Sequence, residues 1–438
     1  YGMKNKERRE VTLQEACIIT KQNTAAVTET EMIPIENACG RIAAEDVSAD
    51  FDQPSFDRSP LDGFAVRSAD IAEASPESPA ELSVIDEVCA GEISSSRIGP
   101  GQAVRIMTGA PIPSGGDCVV KQEDTESAAA DGGFAGMRND EGCAQRGEIV
   151  RICRSVDRLQ NFCSAGEDFR RGQIIIERER KLNFTDVGLL ASLGRTQVNV
   201  FRRPRAAVIA TGDEIVLPGK PLAPGKIYNS NMFMIRAGVT SCGGEVPHCV
   251  QSEDSLEAIM RHLSAAVEKA DMVITTGGVS VGKKDYLPEA LNRLGAEILF
   301  QRISIKPGSP TTFSLLSGKP VLSLTGSPFG AAVNFNLLIR PMIGVLSRDS
   351  SLDLGYIYAV FRGTFEKESP KTRYIQGILG TDGSVRLKPL KNSAAGKGGN
   401  FSACRTVLPK PEEKDCYIEI PAGSKGLKGG EILRVVCI

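Results

Sequence analysis

Histidine is almost missing from this sequence: only His248 and His262 occur in 438 residues. They do not stand at ligand spacing, so neither a histidine-rich zinc site nor a Ser-His-Asp triad is expected. Excess charge of one sign is missing as well. The 52 Lys and Arg nearly cancel 54 Asp and Glu, leaving a formal charge of -2, which argues against a globally basic nucleic-acid binder and a polybasic membrane-surface protein. No uninterrupted apolar run approaches the roughly 18 residues that cross a bilayer, so no membrane span is expected. The twelve cysteines lie scattered from Cys17 to Cys437 without one C-x-x-C pair. They read as reduced thiols of a cytoplasmic protein rather than a disulfide framework. A G-x-G-x-x-G dinucleotide fingerprint and a solenoid repeat are also absent. The opening Tyr1-Gly2-Met3 has no apolar leader character, and Met3 is expected to be the natural start.

What is present is a long chain of globular composition, 41% hydrophobic and 24% charged, which predicts about three or four domains. Thr12-Leu13-Gln14-Glu15 has a capping-box pattern and opens the first helix. Segments 30–49 and 172–200 carry short β-branched runs and read as one small linking domain. Between them, 50–171 holds strand-like runs such as Leu82 to Ile85 and Cys118 to Val120 among Gly, Pro and Ser clusters, so an inserted β-rich domain is expected. From Arg205 onward strands and helices alternate. Strands are expected at Ala206 to Ala210, Glu245 to Val250, Met272 to Thr276, Ile298 to Ile305 and Pro320 to Leu324. The helical runs are Asn231 to Cys242, Ser255 to Lys269, Pro288 to Leu294 and Phe329 to Ile343. This predicts an α/β domain over 10–29 and 201–346, doubly wound around a largely parallel sheet. After Ser350 the pattern returns to short strands, predicting a small all-β, barrel-like domain over 350–438.

Ligands of a doubly wound sheet bind where loops leave the carboxyl ends of strands. Thr211-Gly212-Asp213-Glu214 places two carboxylates after a strand. Gly277, Gly278, Ser280, Gly282, Lys283, Lys284 and Asp285 form a Gly-rich run whose backbone N–H groups suit anionic oxygens. Ile305-Lys306-Pro307-Gly308-Ser309-Pro310 sets one ammonium beside a rigid turn. Together they suit a phosphate-bearing substrate with Mg²⁺. Gly277 to Lys283 nearly spells a P-loop, but Lys284 replaces the hydroxyl that would ligate Mg²⁺, which disfavours an NTPase. Read singly, Asp62 and Thr108 are turn residues, Asp213 is a loop or cap residue, and both histidines are ordinary surface or half-buried residues.

Those loops, with Ser59-Pro60-Leu61-Asp62-Gly63-Phe64 and Thr108-Gly109-Ala110-Pro111, occur in an order that resembles the molybdopterin molybdenumtransferase family, which includes the E domain of gephyrin. The resemblance implies a homodimer with its site shared between subunits. It also implies insertion of molybdate into adenylylated molybdopterin with release of AMP and participation of Mg²⁺. Carried over position by position, Asp62 and Thr108 match a partner-supplied acid and hydroxyl. Glu214 and Asp285 match catalytic and metal-binding acids, and Lys306 matches a cation facing phosphate or molybdate. Asp168 and Asp254 match further substrate-side acids.

The departures fall on cations. Ser309 stands where the family's second turn lysine is expected, and Cys163-Ser164-Ala165 replace a basic run. Gln376 occupies an arginine position with Arg373 nearby, Lys283 replaces an acid, and Thr325-Gly326-Ser327-Pro328 replaces P-G-N-P. Two outcomes follow: a transferase with a rearranged cationic pocket, or a weakened paralogue that binds a molybdopterin-like ligand or acts as a scaffold.

Overall fold

The computed structural model describes residues 9–128, 148–278, 286–388 and 414–438. The chain divides into two compact units, one of Tyr1–Ala44, Glu179–Val187 and Gln197–Ile438, the other of Glu45–Arg178 and Gly188–Thr196.

The first unit is built on a seven-stranded sheet. Its spatial order is Glu10–Val11, Glu297–Ile303, Pro310–Leu316, Lys319–Leu324, Met272–Thr276, Arg205–Thr211 and Glu245–Ser252. Alternation along the strands sends side chains to two cores. Ala206, Val208, Ala210, Met272 and Ile274 meet the helices Ser230–Ser241 and Pro328–Ser347 on one face. Ala207, Ile209 and Val273 meet Leu256–Lys269 and Leu287–Arg293 on the other. The doubly wound expectation holds. The sheet is mixed, however: Pro310–Leu316, which the sequence reading left unassigned, runs antiparallel to both neighbours. Its Pro, Thr and Ser content masks the alternation that would have marked it.

The capping box is present: Glu15 N–H donates to Thr12 Oγ1 at 3.2 Å, and Glu15 Oε2 accepts from Thr12 N–H at 2.8 Å. Helix Leu256–Lys269 is capped by Ser255 Oγ, which accepts from Ala258 N–H at 3.3 Å. The run Pro328–Ser347 is long and apolar enough to cross a bilayer by length and composition, but most of it is buried in the core. That burial accounts for its apolar character. It contains one π-helical turn, Phe335–Ile339.

The C-terminal strands Thr372–Leu379, Ser384–Leu387, Tyr356–Arg362, Ile432–Cys437 and Lys414–Ile420 close into a five-stranded barrel, because the last also pairs with the first. The second unit contains a six-stranded sheet with a core on each face. Short ribbons pair Thr30–Pro34 with Gln197–Phe201 in the first unit and Val47–Ser48 with Ile174–Ile176 in the second. Among the described residues ten cysteines are free thiols.

Candidate functional site

Strands Arg205–Thr211, Met272–Thr276 and Lys319–Leu324 run parallel, with Ala210, Thr276 and Leu324 in register, so their three loops leave from one edge. Gly277 has φ +89° and donates its N–H to Leu324 O at 3.1 Å. A Cβ there would lie 2.2 Å from Thr211 O, so only glycine lets these loops meet. Gly278 follows at the same edge, its would-be Cβ 3.0 Å from Thr211 Oγ1. Asn231, on Ser230–Ser241, donates its Nδ2 to Gly326 O at 2.9 Å. Thr211 Oγ1 and Asn231 Oδ1 are buried without a hydrogen-bond partner among the described residues. Neither side chain stood out in the sequence, because its position depends on strands distant along the chain.

Glu214 is exposed at this edge. Its carboxylate folds back so that Oε2 lies 2.7 Å from where a Gly212 Cβ would stand, and its backbone oxygen accepts from Ile227 N–H at 2.9 Å. Among the described residues its carboxylate forms no ion pair. Lys226 Nζ donates to Asp213 O at 2.6 Å, in keeping with a loop role for Asp213. Asp254 lies at the same sheet edge, between the outermost strand Glu245–Ser252 and the Ser255 cap. Ser280, Gly282, Lys283, Lys284 and Asp285 lie outside the described residues.

Ile305–Lys306 pairs in parallel with Thr372 and Arg373, which fastens the lysine turn to the barrel. Lys306 is exposed and forms no ion pair among the described residues. Ser309 O accepts from Ile303 N–H at 3.0 Å, while Ser309 Oγ is buried and without a partner among the described residues. Arg373, near the Gln376 position, does not substitute for the absent arginine. Its backbone lies beside Lys306, but the buried guanidinium donates to Ser369 Oγ at 3.1 Å and sits over the Phe365 ring.

In the second unit, Asp62 Oδ1 accepts from both Thr108 Oγ1 and Thr108 N–H at 2.7 Å. The hydroxyl first, then the amide, hold the Asp62 carboxyl below the usual carboxylate range. The two residues singled out from distant turns are therefore one hydrogen-bonded pair. Nearby backbone joins Ser59 to Ala110 and Arg58 to Cys163, bringing the 163–168 loop alongside. Asp168 is exposed, with Arg58 Nη2 4.0 Å from its Oδ2. Arg58 was missed in the sequence reading: it lies directly across an antiparallel bridge from Cys163, where the basic run is absent. His248 and His262, by contrast, face each other with ring centroids 6.1 Å apart and lie outside both constellations.

A divalent hard cation takes oxygen ligands and keeps several waters. The Glu214 carboxylate, exposed and without an ion pair among the described residues, fits such an ion as one ligand. Among the described residues no group of three or more His, Cys, Asp and Glu gathers around a point; Asp285, the other expected ligand, lies outside them.

Residues 11–194 match the family model of the MoeA N-terminal region (domain I and II), and 207–344 match the probable molybdopterin binding domain. The chain is 34% identical to the molybdopterin molybdenumtransferase of Bacillus subtilis, covering 97% of this chain and 93% of that protein. It is 35% identical to that of Staphylococcus epidermidis, over 92% and 90%. The crystal structure of a molybdopterin biosynthesis MoeA protein from Pyrococcus horikosii superposes with a TM-score of 0.78 at 30% identity, covering 98% of this chain and 99% of that one. With similarity of this strength running nearly end to end through sequence and fold alike, the chain belongs to the molybdopterin molybdenumtransferase family.

Proposed function

We propose that this protein inserts molybdate into adenylylated molybdopterin and releases AMP. The observation that carries the reading is the edge where three parallel strands end: Gly277 lets the loops meet beside Glu214, which makes no ion pair among the described residues, at the family's binding domain. The Gly277 amide is committed to Leu324 O, so in this reading the amides of the Gly-rich run beyond it bind phosphate oxygens. Lys306, on its fastened turn, offsets negative charge on molybdate or on the departing AMP. Water adds to phosphorus, the phosphoanhydride P–O bond breaks, and AMP carries the bond's electron pair away. Two Mo–S bonds form as the dithiol S–H groups give up their protons, one Mo–O bond of molybdate breaks, and that oxygen leaves with the two protons as water. Mg²⁺, held by Glu214 and Asp285, would supply charge neutralisation for phosphate oxygens.

In this reading Asp62, Thr108 and Asp168 act from a second copy of the chain, as the family resemblance implies, in a homodimer with shared sites. The pairing of Asp62 with Thr108 supports it, since an oriented, ionised acid suits a substrate N–H or O–H. Ser280, Gly282, Lys283, Lys284, Ser309 and Asp254 complete the proposed substrate contacts. The ten free thiols are in keeping with a reducing, cytoplasmic setting.

The direct test incubates purified protein with adenylylated molybdopterin, molybdate and Mg²⁺. Molybdate-dependent AMP release, abolished by Glu214→Ala, is the expected result. Ligand retained with no AMP released would sink the transferase reading in favour of the weakened paralogue.

A further inference from the structure

We propose that Asn334 is a positioning residue that holds the Lys306 turn in its working geometry. The inference rests on the role given above to Lys306. Asn334 is the last residue of helix Pro328–Asn334 and is fully buried. Its Nδ2 donates to Gly308 O at 2.9 Å and to Thr311 Oγ1 at 2.6 Å, and Thr311 Oγ1 itself donates to Gly308 O at 2.8 Å. One side-chain amide thus grips the turn at the residue two positions beyond Lys306 and again where the next strand begins.

The fit is tight on both sides. Gly308 has φ +92°, and a Cβ on it would lie 2.7–3.0 Å from the Asn334 amide atoms. A Cβ on Gly330 would lie 3.2 Å from Gly308 N, so the helix meets the turn backbone to backbone. The arrangement also carries a cost that packing alone would not require. Asn334 Oδ1 is buried and accepts no hydrogen bond among the described residues, a liability that an apolar side chain would avoid. The π-helical turn Phe335–Ile339 starts at the next residue, and such turns often occur at functional sites. The amide donor is what an apolar side chain could not supply. Lys306 makes no ion pair of its own among the described residues, so its placement depends on the backbone beneath it.

The test is a double-mutant cycle read by AMP release. Asn334→Ala removes both donated hydrogen bonds and is expected to lower kcat/KM at least about tenfold. In a Lys306→Ala background the same substitution should change kcat/KM less than about twofold, because no ammonium remains to be positioned. Asn334→Asp supplies an independent reading and also serves if Asn334→Ala does not fold. Burial raises a carboxyl pKa, and only the protonated form can donate to Gly308 O. Its kcat/KM should approach the parent's on the acid side and fall as pH rises, a limb absent from the parent. Losses that multiply in the double variant, or Asn334→Asp with the parent's pH profile, would overturn the proposal while leaving Lys306 in its role. Lys306→Ala with undiminished kcat/KM would overturn both.

Discussion

Lys306→Ala separates catalysis from stability, because Lys306 is exposed and unpaired among the described residues. Truncating an exposed side chain that makes no such contact shifts stability by at most about 0.5 kcal/mol, or less than about 2 °C in melting temperature. A charge-assisted contact to a phosphate or molybdate oxygen is worth about 1.5–3 kcal/mol. At about 1.4 kcal/mol per decade, its loss lowers kcat/KM about 10- to 150-fold. The assay pairs AMP release over a range of substrate concentrations with a thermal melt of the same preparation. Asp271→Asn is the opposite control, since Arg202 grips Asp271 with two 2.8 Å bonds at the other end of strands Arg205–Thr211 and Met272–Thr276 from the crevice loops. That variant should melt earlier and keep its activity per folded molecule. Unchanged kcat/KM in Lys306→Ala would refute the electrostatic role. A melting shift as large as that of Asp271→Asn would show that the lysine serves the fold.

Burial alone would raise the Asp271 carboxyl, but the Arg202 guanidinium and the Arg205 amide outweigh it and hold it below the usual carboxylate range. A depressed pKa contributes stability above the unfolded value, about pH 4, that is lost as pH falls through the folded one. Asp271→Asn should therefore cost roughly 3 kcal/mol at neutral pH in urea unfolding, with the deficit shrinking below about pH 4. Thr108→Val removes the hydroxyl that does most to hold Asp62 ionised. The acid limb of AMP release should move to higher pH, and an unmoved limb would exclude Asp62 from the reaction. Arg58→Ala should weaken substrate binding, and adding Cys163→Arg should restore it, because the two residues are partners across one antiparallel bridge. Failure of that relocation, measured as KM, would make Arg58 only the ion-pair partner of Asp168.

Much was legible along the chain. The Thr12–Glu15 box, the helical spacing of Leu256–Lys269 and the strand–loop alternation after Arg205 are local signals, and they set the doubly wound fold and the order of its loops. The loops carrying Asp62, Thr108, Glu214 and Lys306 were recognisable because glycine and proline mark turns whatever surrounds them. Tertiary structure decided which groups meet. It joined Asp62 to Thr108, set Arg58 across from Cys163, committed Arg373 to Ser369 and placed Asn334 under Gly308. Spacing could not reveal these pairings: sequence periodicity reports which face of an element a residue occupies, whereas contacts depend on register between elements far apart in the chain.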